Sequence, residues 1–317
     1  MTEKTDLYDL IIIGGGPAGL AAALYACRAQ ISTLVVEKVC IGGQIILTDR
    51  VDNYPGFEGG VTGQELMDKM SRQALKFGAK ISENTLISSI KKNRDVWELI
   101  SDEGRKYSAY SIIIAAGASW KKLEVPGADR FEGRGISYCA TCDGPLFKNK
   151  DVIVVGGGNA AVEEAVFLTK FVRRLTLVHR RAMLRAAKVL QDELLKNPKA
   201  ELCLESVIIE ISGDRFIDSV TTKNISSGEL KKIPCQGIFV FIGHKPNSDL
   251  VKGLLDMDEY GYIVTDDAMA ASKPGIFAAG DVRKTSLRQV VTAASDGARA
   301  AYGAEQFVRR LKGQEYK

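Results

Sequence analysis

Leu10-Ile11-Ile12-Ile13-Gly14-Gly15-Gly16-Pro17-Ala18-Gly19 is the stretch whose reading decides the fold. Three successive isoleucines predict a short strand buried on both faces. The alanine-rich run from Leu20 to Ala29 predicts a helix, and Ser32 to Val36 a second strand that ends at Glu37. Leu10 to Cys27 carries no charge and approaches the length of a membrane span. The Gly14-Gly15-Gly16-Pro17 break in its middle is foreign to a lipid-facing helix, so strand, turn and helix is the reading, with no membrane expected.

The turn itself fits G-x-G-x-x-G. Gly14 allows the tight turn, Gly16 lets backbone approach a pyrophosphate, and Gly19 lets the helix pack on the strand. Pro17 and Ala18 open the helix, whose N-terminal amides and positive dipole end suit phosphate. Glu37, at the end of the second strand, is placed to accept hydrogen bonds from ribose hydroxyls.

The same device recurs. Asp151 to Val155 is a strand-like run, followed by Gly156-Gly157-Gly158-Asn159-Ala160-Ala161, a helix to about Lys170, and a strand over Leu175 to Val178. Gly156, Gly158, Asn159 and Ala160 are the expected nucleotide contacts, with alanine replacing the third glycine. Gly14 lies 23 positions before Glu37, and Gly156 lies 23 before His179. The strand end differs in charge. His179, Arg180, Arg181 and Arg185 stand where the first unit has one acid, and guanidinium groups bind a 2′-phosphate that a carboxylate would repel. The second site is therefore expected to prefer NADP. Arg181 and Arg185, four apart, would share a face if helical; a merely solvated basic face is the alternative.

Cys139-Ala140-Thr141-Cys142-Asp143 precedes the second turn. Two cysteines at this spacing close a disulfide without long-range rearrangement, and the spacing often lowers one thiol's pKa. Zinc would need four ligands, and there is no second C-x-x-C and only two histidines, so no metal is expected. Asp143 is placed either to shuttle a thiol proton or to serve as a turn or cap residue. Cys27, Cys203 and Cys235 read as packing residues. Cys40 lies beside Gly42-Gly43-Gln44 with no evident partner.

The whole chain sets the frame. Its 317 residues suggest two domains, and 45% hydrophobic with 26% charged residues is the composition of a globular protein. A net charge of +4 is too small for a nucleic-acid partner. The segment Met1 to Asp9 carries acids and no basic, then apolar, leader, and free thiols suit a reducing compartment. A cytoplasmic location is expected.

These pieces together resemble the low-molecular-weight thioredoxin reductases. The likeness extends over Gly42-Gly43-Gln44, Asn53-Tyr54-Pro55-Gly56, Gly243-His244-Lys245-Pro246-Asn247, Gly280-Asp281 and Arg288-Gln289-Val290. Its specific part is C-x-x-C-D just ahead of a second G-x-G-x-x-A. The resemblance implies an α/β fold of two Rossmann-like domains. The NADPH domain (119–245) carries the cysteine pair and is inserted into a discontinuous FAD domain (1–118 and 246–317), with crossings near Gly117 and Gly243.

By the same resemblance FAD occupies the first turn, lined also by Gln44, Asn53, Asp281, Arg288, Gln289 and Val290. The NADPH domain would rotate between a flavin-reducing and a flavin-oxidising arrangement. Electrons would open a Cys139–Cys142 disulfide through Cys142; Cys139 would attack thioredoxin or a thioredoxin-like protein, with Asp143 as acid. A homodimer is implied too. Rival expectations are a flavin-dependent dithiol oxidase, a reductase of another small dithiol carrier, and a redox sensor without turnover.

Overall fold

The computed structural model describes residues 6–48, 51 and 53–314, and of residues 47, 141 and 142 the backbone alone. The chain divides into two compact units, one made of residues 1–119 and 245–317, the other of residues 120–244.

The first unit begins with β1 (Asp6–Ile13), α1 (Pro17–Arg28) and β2 (Thr33–Val36), then α2 (Gly63–Lys76), β3 (Lys80–Ser82), β4 (Ile87–Asn93), β5 (Val96–Ser101) and β6 (Lys106–Ile114). The sheet order is β3-β2-β1-β6-β5-β4. β1 lies parallel between β2 and β6, with Ile11 opposite both Leu34 and Ile112. Both faces of β1 are covered: Leu10 and Ile12 pack with the helix alanines, Ile11 and Ile13 with Trp97 and Leu99. A strand sandwiched this way needs apolar residues at successive positions, which is why its sequence does not alternate.

β7 (Ala118–Trp120) then leads to the second unit: α3 (Ala128–Phe131), β8 (Ile136–Ser137), α4 (Ala140–Asp143), β9 (Asp151–Gly156), α5 (Asn159–Leu168), β10 (Arg174–Val178), α6 (Lys188–Lys196), β11 (Ala200–Cys203), β12 (Ser206–Gly213), β13 (Ile217–Asn224), β14 (Leu230–Pro234) and β15 (Gly237–Phe241). Its parallel sheet runs β11-β10-β9-β15-β8, and β12-β13-β14 form an antiparallel sheet. Around β9 the order repeats that around β1, so one βαβ plan is used twice.

β16 (His244–Pro246) pairs with β7 as a two-stranded ribbon. Gly117 and Gly243, at the ends of these crossings, have φ of +66° and +109°, and a Cβ on either would meet nothing within 4 Å. Glycine is there for the backbone conformation, not for close packing. After β16 the chain adds β17 (Ile276–Ala278) beside β6 and ends in α7 (Val290–Leu311). α7 lies on α1 through small residues on both helices. A Cβ on Gly297 would drive into the Ala18 carbonyl. Among the described residues no helix is long and apolar enough to cross a membrane.

Candidate active site

Both glycine turns are built alike. Gly14 has φ of +112° and Gly156 of +149°; a Cβ on either would strike the carbonyl below it, Ala115 or Phe241. No side chain caps α1 or α5, whose N-cap residues Gly16 and Gly158 are both extended. The amides of each first helical turn are thus left for an anionic ligand. Space for one exists. A Cβ on Gly158 would meet nothing within 4 Å, and one on Gly16 only Gly42 and Gly43 backbone at 3.9 Å. The third position separates the two turns. A Cβ on Gly19 would drive into the Gly14 carbonyl, whereas Ala161 is accommodated and buried in its place.

Around the first turn the structure gathers residues scattered along the sequence. Glu37 accepts the Gly15 amide at 2.7 Å through Oε2 and the Val39 amide at 3.3 Å through Oε1. The Gly42 amide donates to the Gly15 carbonyl at 2.9 Å, which seats Gly42-Gly43 on the turn. Gln44 Nε2 donates to the Ala118 carbonyl at 2.6 Å. Asn53 Nδ2 donates to Gln289 Oε1 at 2.9 Å across 236 positions of sequence, and Gln289 caps α7 immediately before Val290.

Gly280-Asp281 forms a short turn against α1, where a Cβ on Gly280 would crowd Ala18. Burial raises the Asp281 carboxyl above its ordinary range; Asp296 adds to this and Arg288 opposes it. The Arg288 guanidinium lies 4.3 Å from the Tyr262 ring centroid, and its Nε is buried with no hydrogen-bond partner. An orphaned buried donor and an open glycine turn fit a bound dinucleotide. Exposed Cys40 precedes Gly42 and is free.

The second turn differs in what flanks it. His179 is buried against Gly157, its Nε2 without a partner. Burial lowers its pKa, and Arg185, Arg181 and Arg180 lower it further, while a hydrogen bond with the Met183 backbone opposes them. The helical face expected for Arg181 and Arg185 is not found. Residues 180–187 are irregular and α6 starts only at Lys188. The reason is that this segment spends its amides on the nucleotide turn. Arg185 N donates to the Gly157 carbonyl at 2.7 Å, and Ala187 N to Asn159 Oδ1 at 2.8 Å. The loop is thereby folded over the turn, and Arg180, Arg181 and Arg185 stay exposed.

In the same unit, Cys139 follows β8, is half-buried and is disulfide-bonded. Cys27, Cys40, Cys203 and Cys235 are free. The Cys142 side chain lies outside the described residues. The Cys139 amide donates to Ser137 Oγ at 3.1 Å, and the Asp143 amide donates to the Cys139 carbonyl at 3.2 Å. Asp143 stands before the turn Gly144–Phe147 but makes no capping hydrogen bond with its side chain. Of the two sequence readings of Asp143, the cap is therefore not observed.

One acid escaped the sequence reading. Glu164, on α5, has a buried Oε2 without a partner, and burial, with Glu163 adding, pushes its carboxyl up to about 7. No group of His, Cys, Asp and Glu among the described residues is arranged to hold a metal ion.

Two nucleotide turns of opposite flanking charge, with a disulfide in the unit of the basic one, define a nucleotide-dependent disulfide oxidoreductase. Residues 8–297 match the family described as pyridine nucleotide-disulphide oxidoreductase, and the chain belongs to that family. Its relatives sharpen the assignment. It is 47% identical over 313 residues to a thioredoxin reductase of Peptoclostridium litorale, covering 96% of this chain and 98% of the relative. It is 41% identical to a bifunctional thioredoxin reductase/thioredoxin of Mycobacterium leprae, over 98% of this chain and 68% of that one. Among solved structures, the Lactococcus lactis thioredoxin reductase in its FR conformation superposes with a TM-score of 0.90 at 42% identity, covering 96% of this chain and all of that one.

Proposed function

We propose that the chain is an NADPH-dependent thioredoxin-disulfide reductase. The observation that carries the reading is the opposed flanking of two otherwise equal turns. Glu37 is pinned by the Gly15 amide in one, and the Arg180, Arg181 and Arg185 loop is pinned by the Gly157 carbonyl in the other. The first unit holds FAD, with Glu37 toward its ribose and Asp281, Arg288 and Gln289 along the ribityl chain and ring. The second holds NADPH, with its 2′-phosphate among the arginines. When bound, the two cofactors supply hydride transfer and a two-electron carrier.

The residues of the chain do the rest. The Cys139–Cys142 disulfide takes two electrons and one proton and opens to a thiol and a thiolate. The thiolate attacks the acceptor disulfide, the second cysteine gives up its proton and resolves the mixed disulfide, and the acceptor, taking that proton and one from solvent, leaves as a dithiol. Asp143 holds and returns the proton that the leaving sulfur needs. The cysteines must meet flavin in one step and a protein disulfide in another, so the inserted unit rotates about the crossings at Gly117 and Gly243. Their positive φ and open surroundings support that hinge. The acceptor is thioredoxin, the partner that the fused Mycobacterium leprae relative carries in its name. The working form is a cytoplasmic homodimer.

NADPH oxidation against a panel of purified acceptors, with NADH in parallel, tests the reading. Rapid turnover with thioredoxin alone is expected; peroxide from a small dithiol without NADPH would replace the reading with an oxidase. Cys139→Ser is expected to abolish acceptor reduction while NADPH still bleaches the flavin. Loss of bleaching would remove the pair from the end of the electron path.

A further inference from the structure

Behind the proposed flavin site lies a largely buried ion pair that holds it through the Gly280 backbone. Asp296, on α7, accepts the Gly280 amide at 3.2 Å and Arg283 Nη1 at 3.0 Å, both through Oδ2. Arg283 Nε donates to Thr265 Oγ1 at 2.9 Å, and the Arg283 amide returns to the Gly280 carbonyl at 3.2 Å. The side chains are 14% and 11% exposed, so the pair is largely out of water. Beside Asp296, Gly297 has no room for a Cβ above the Ala18 carbonyl, which fixes this part of α7 on α1 next to the glycine turn.

Two charges taken out of water gain little net stability over well-packed apolar groups. What this pair does is geometric. It fastens both ends of the turn that bears Asp281, to α7 on one side and to Thr265 on the other. It also neutralises Asp296, a second buried carboxylate close enough to disturb the first.

We propose that Arg283 and Asp296 are positioning residues for the flavin: the pair sets the height and charge of the Asp281 turn and thereby the affinity for FAD. The proposal rests on the assignment of this unit to FAD, and the experiment separates the two. FAD is titrated into apoprotein of the full chain and followed by flavin fluorescence and visible spectrum, with thermal unfolding of each apoprotein in parallel. Asp296→Asn and Arg283→Met are each expected to raise the FAD dissociation constant at least about tenfold. The KM for NADPH, set in the other unit, is expected to stay as it was.

The double variant Arg283→Met/Asp296→Leu leaves no buried charge uncompensated. It is expected to regain wild-type thermal stability but not wild-type FAD affinity. Recovery of both, or FAD affinity within twofold of wild type in folded single variants, would overturn the proposal and leave the pair a packing feature. Arg283→Lys keeps the charge without the fork to Thr265, and its expected loss of about threefold reports on positioning even if a charge-removing variant fails to fold. If wild-type apoprotein binds no FAD, it is the assignment of the unit that falls.

Discussion

The turn at Gly14 and the turn at Gly156 are two copies of one backbone device put to different ends. Their strands share an order, their helices begin on uncapped extended glycines, and a carbonyl blocks any Cβ at the first glycine of each. What differs is confined to side chains and to what packs outside. At the strand end, the first unit has an acid bonded to a backbone amide and the second a buried imidazole flanked by exposed arginines. On the helix, Ala22 of α1 is fully buried in the alanine layer shared with α7. Glu164, at the matching place on α5, is half-buried, with one carboxylate oxygen covered and without a hydrogen-bond partner. The comparison teaches that one backbone device can be kept while the groups flanking it change in charge, which is what the proposed assignment of two different nucleotides requires.

Replacing Arg180, Arg181 and Arg185 together by Ala should do most to erase the distinction. Charge-assisted hydrogen bonds to phosphate contribute about 1.5–3 kcal/mol each and are not additive, so the NADPH KM should rise about 100-fold or more. The NADH KM should barely move. Steady-state kinetics with both nucleotides measures this, and an unchanged ratio would make the cluster a solvated loop.

Glu164 distinguishes the two helices through pH. Its folded-state value of about 7 lies above the ordinary 4.5, so the folded unit binds an extra proton between those values. The contribution to stability is full below about pH 4.5 and is lost as pH rises through 7, by about 2 kcal/mol after allowance for partial exposure. Glu164→Gln should therefore be more stable than the parent at pH 8 and differ little at pH 5. Denaturant unfolding at the two pH values is the measurement. A gap of equal size at both would mean that the carboxyl is not buried as described.

In the first unit the matching change is Glu37→Gln. The amide oxygen still accepts from Gly15 N, so the turn should hold, but the charge and one acceptor for ribose are lost. FAD affinity should fall about tenfold with NADPH KM unaltered. A fall in both would show that Glu37 holds up more than its own turn.

How much of this was legible in advance follows from what each feature depends on. Both turns, their 23-residue spacing and the charge contrast at their ends are local properties, and the sequence carries them openly. The irregular course of residues 180–187 was not legible, because Arg185 N and Ala187 N are drawn to Gly157 and Asn159 by contacts 28 positions away. That Asn53 and Gln289 serve one site was implied only by family resemblance, and their hydrogen bond across 236 positions was not legible at all. Nothing in a Glu163-Glu164 pair on a helix signals which of the two is buried; that depends on the neighbouring elements packed on α5. The Arg283–Asp296 pair is hidden for a similar reason, since it joins a turn to a helix through side chains ordinarily found on surfaces.

The smallest expected effect falls on His179, and its sign opposes that of Glu164. Burial and the arginines hold the imidazole below its ordinary 6.5, so the unfolded chain binds a proton near that pH which the folded unit does not. Stability is then full above about 6.5 and declines as pH falls through it, by no more than about 1 kcal/mol for a group with so many cationic neighbours already screened by water. His179→Gln should remove this decline between pH 7 and 5.5 while preserving contact with Gly157. A phosphate set among Arg180, Arg181 and Arg185 would cancel part of their field and raise the imidazole again. Adding 2′-phosphate nucleotide should therefore flatten the decline in the parent, and nucleotide lacking that phosphate should not. Identical pH profiles with both nucleotides would place the 2′ position away from His179 and leave the two turns distinguished by their arginines alone.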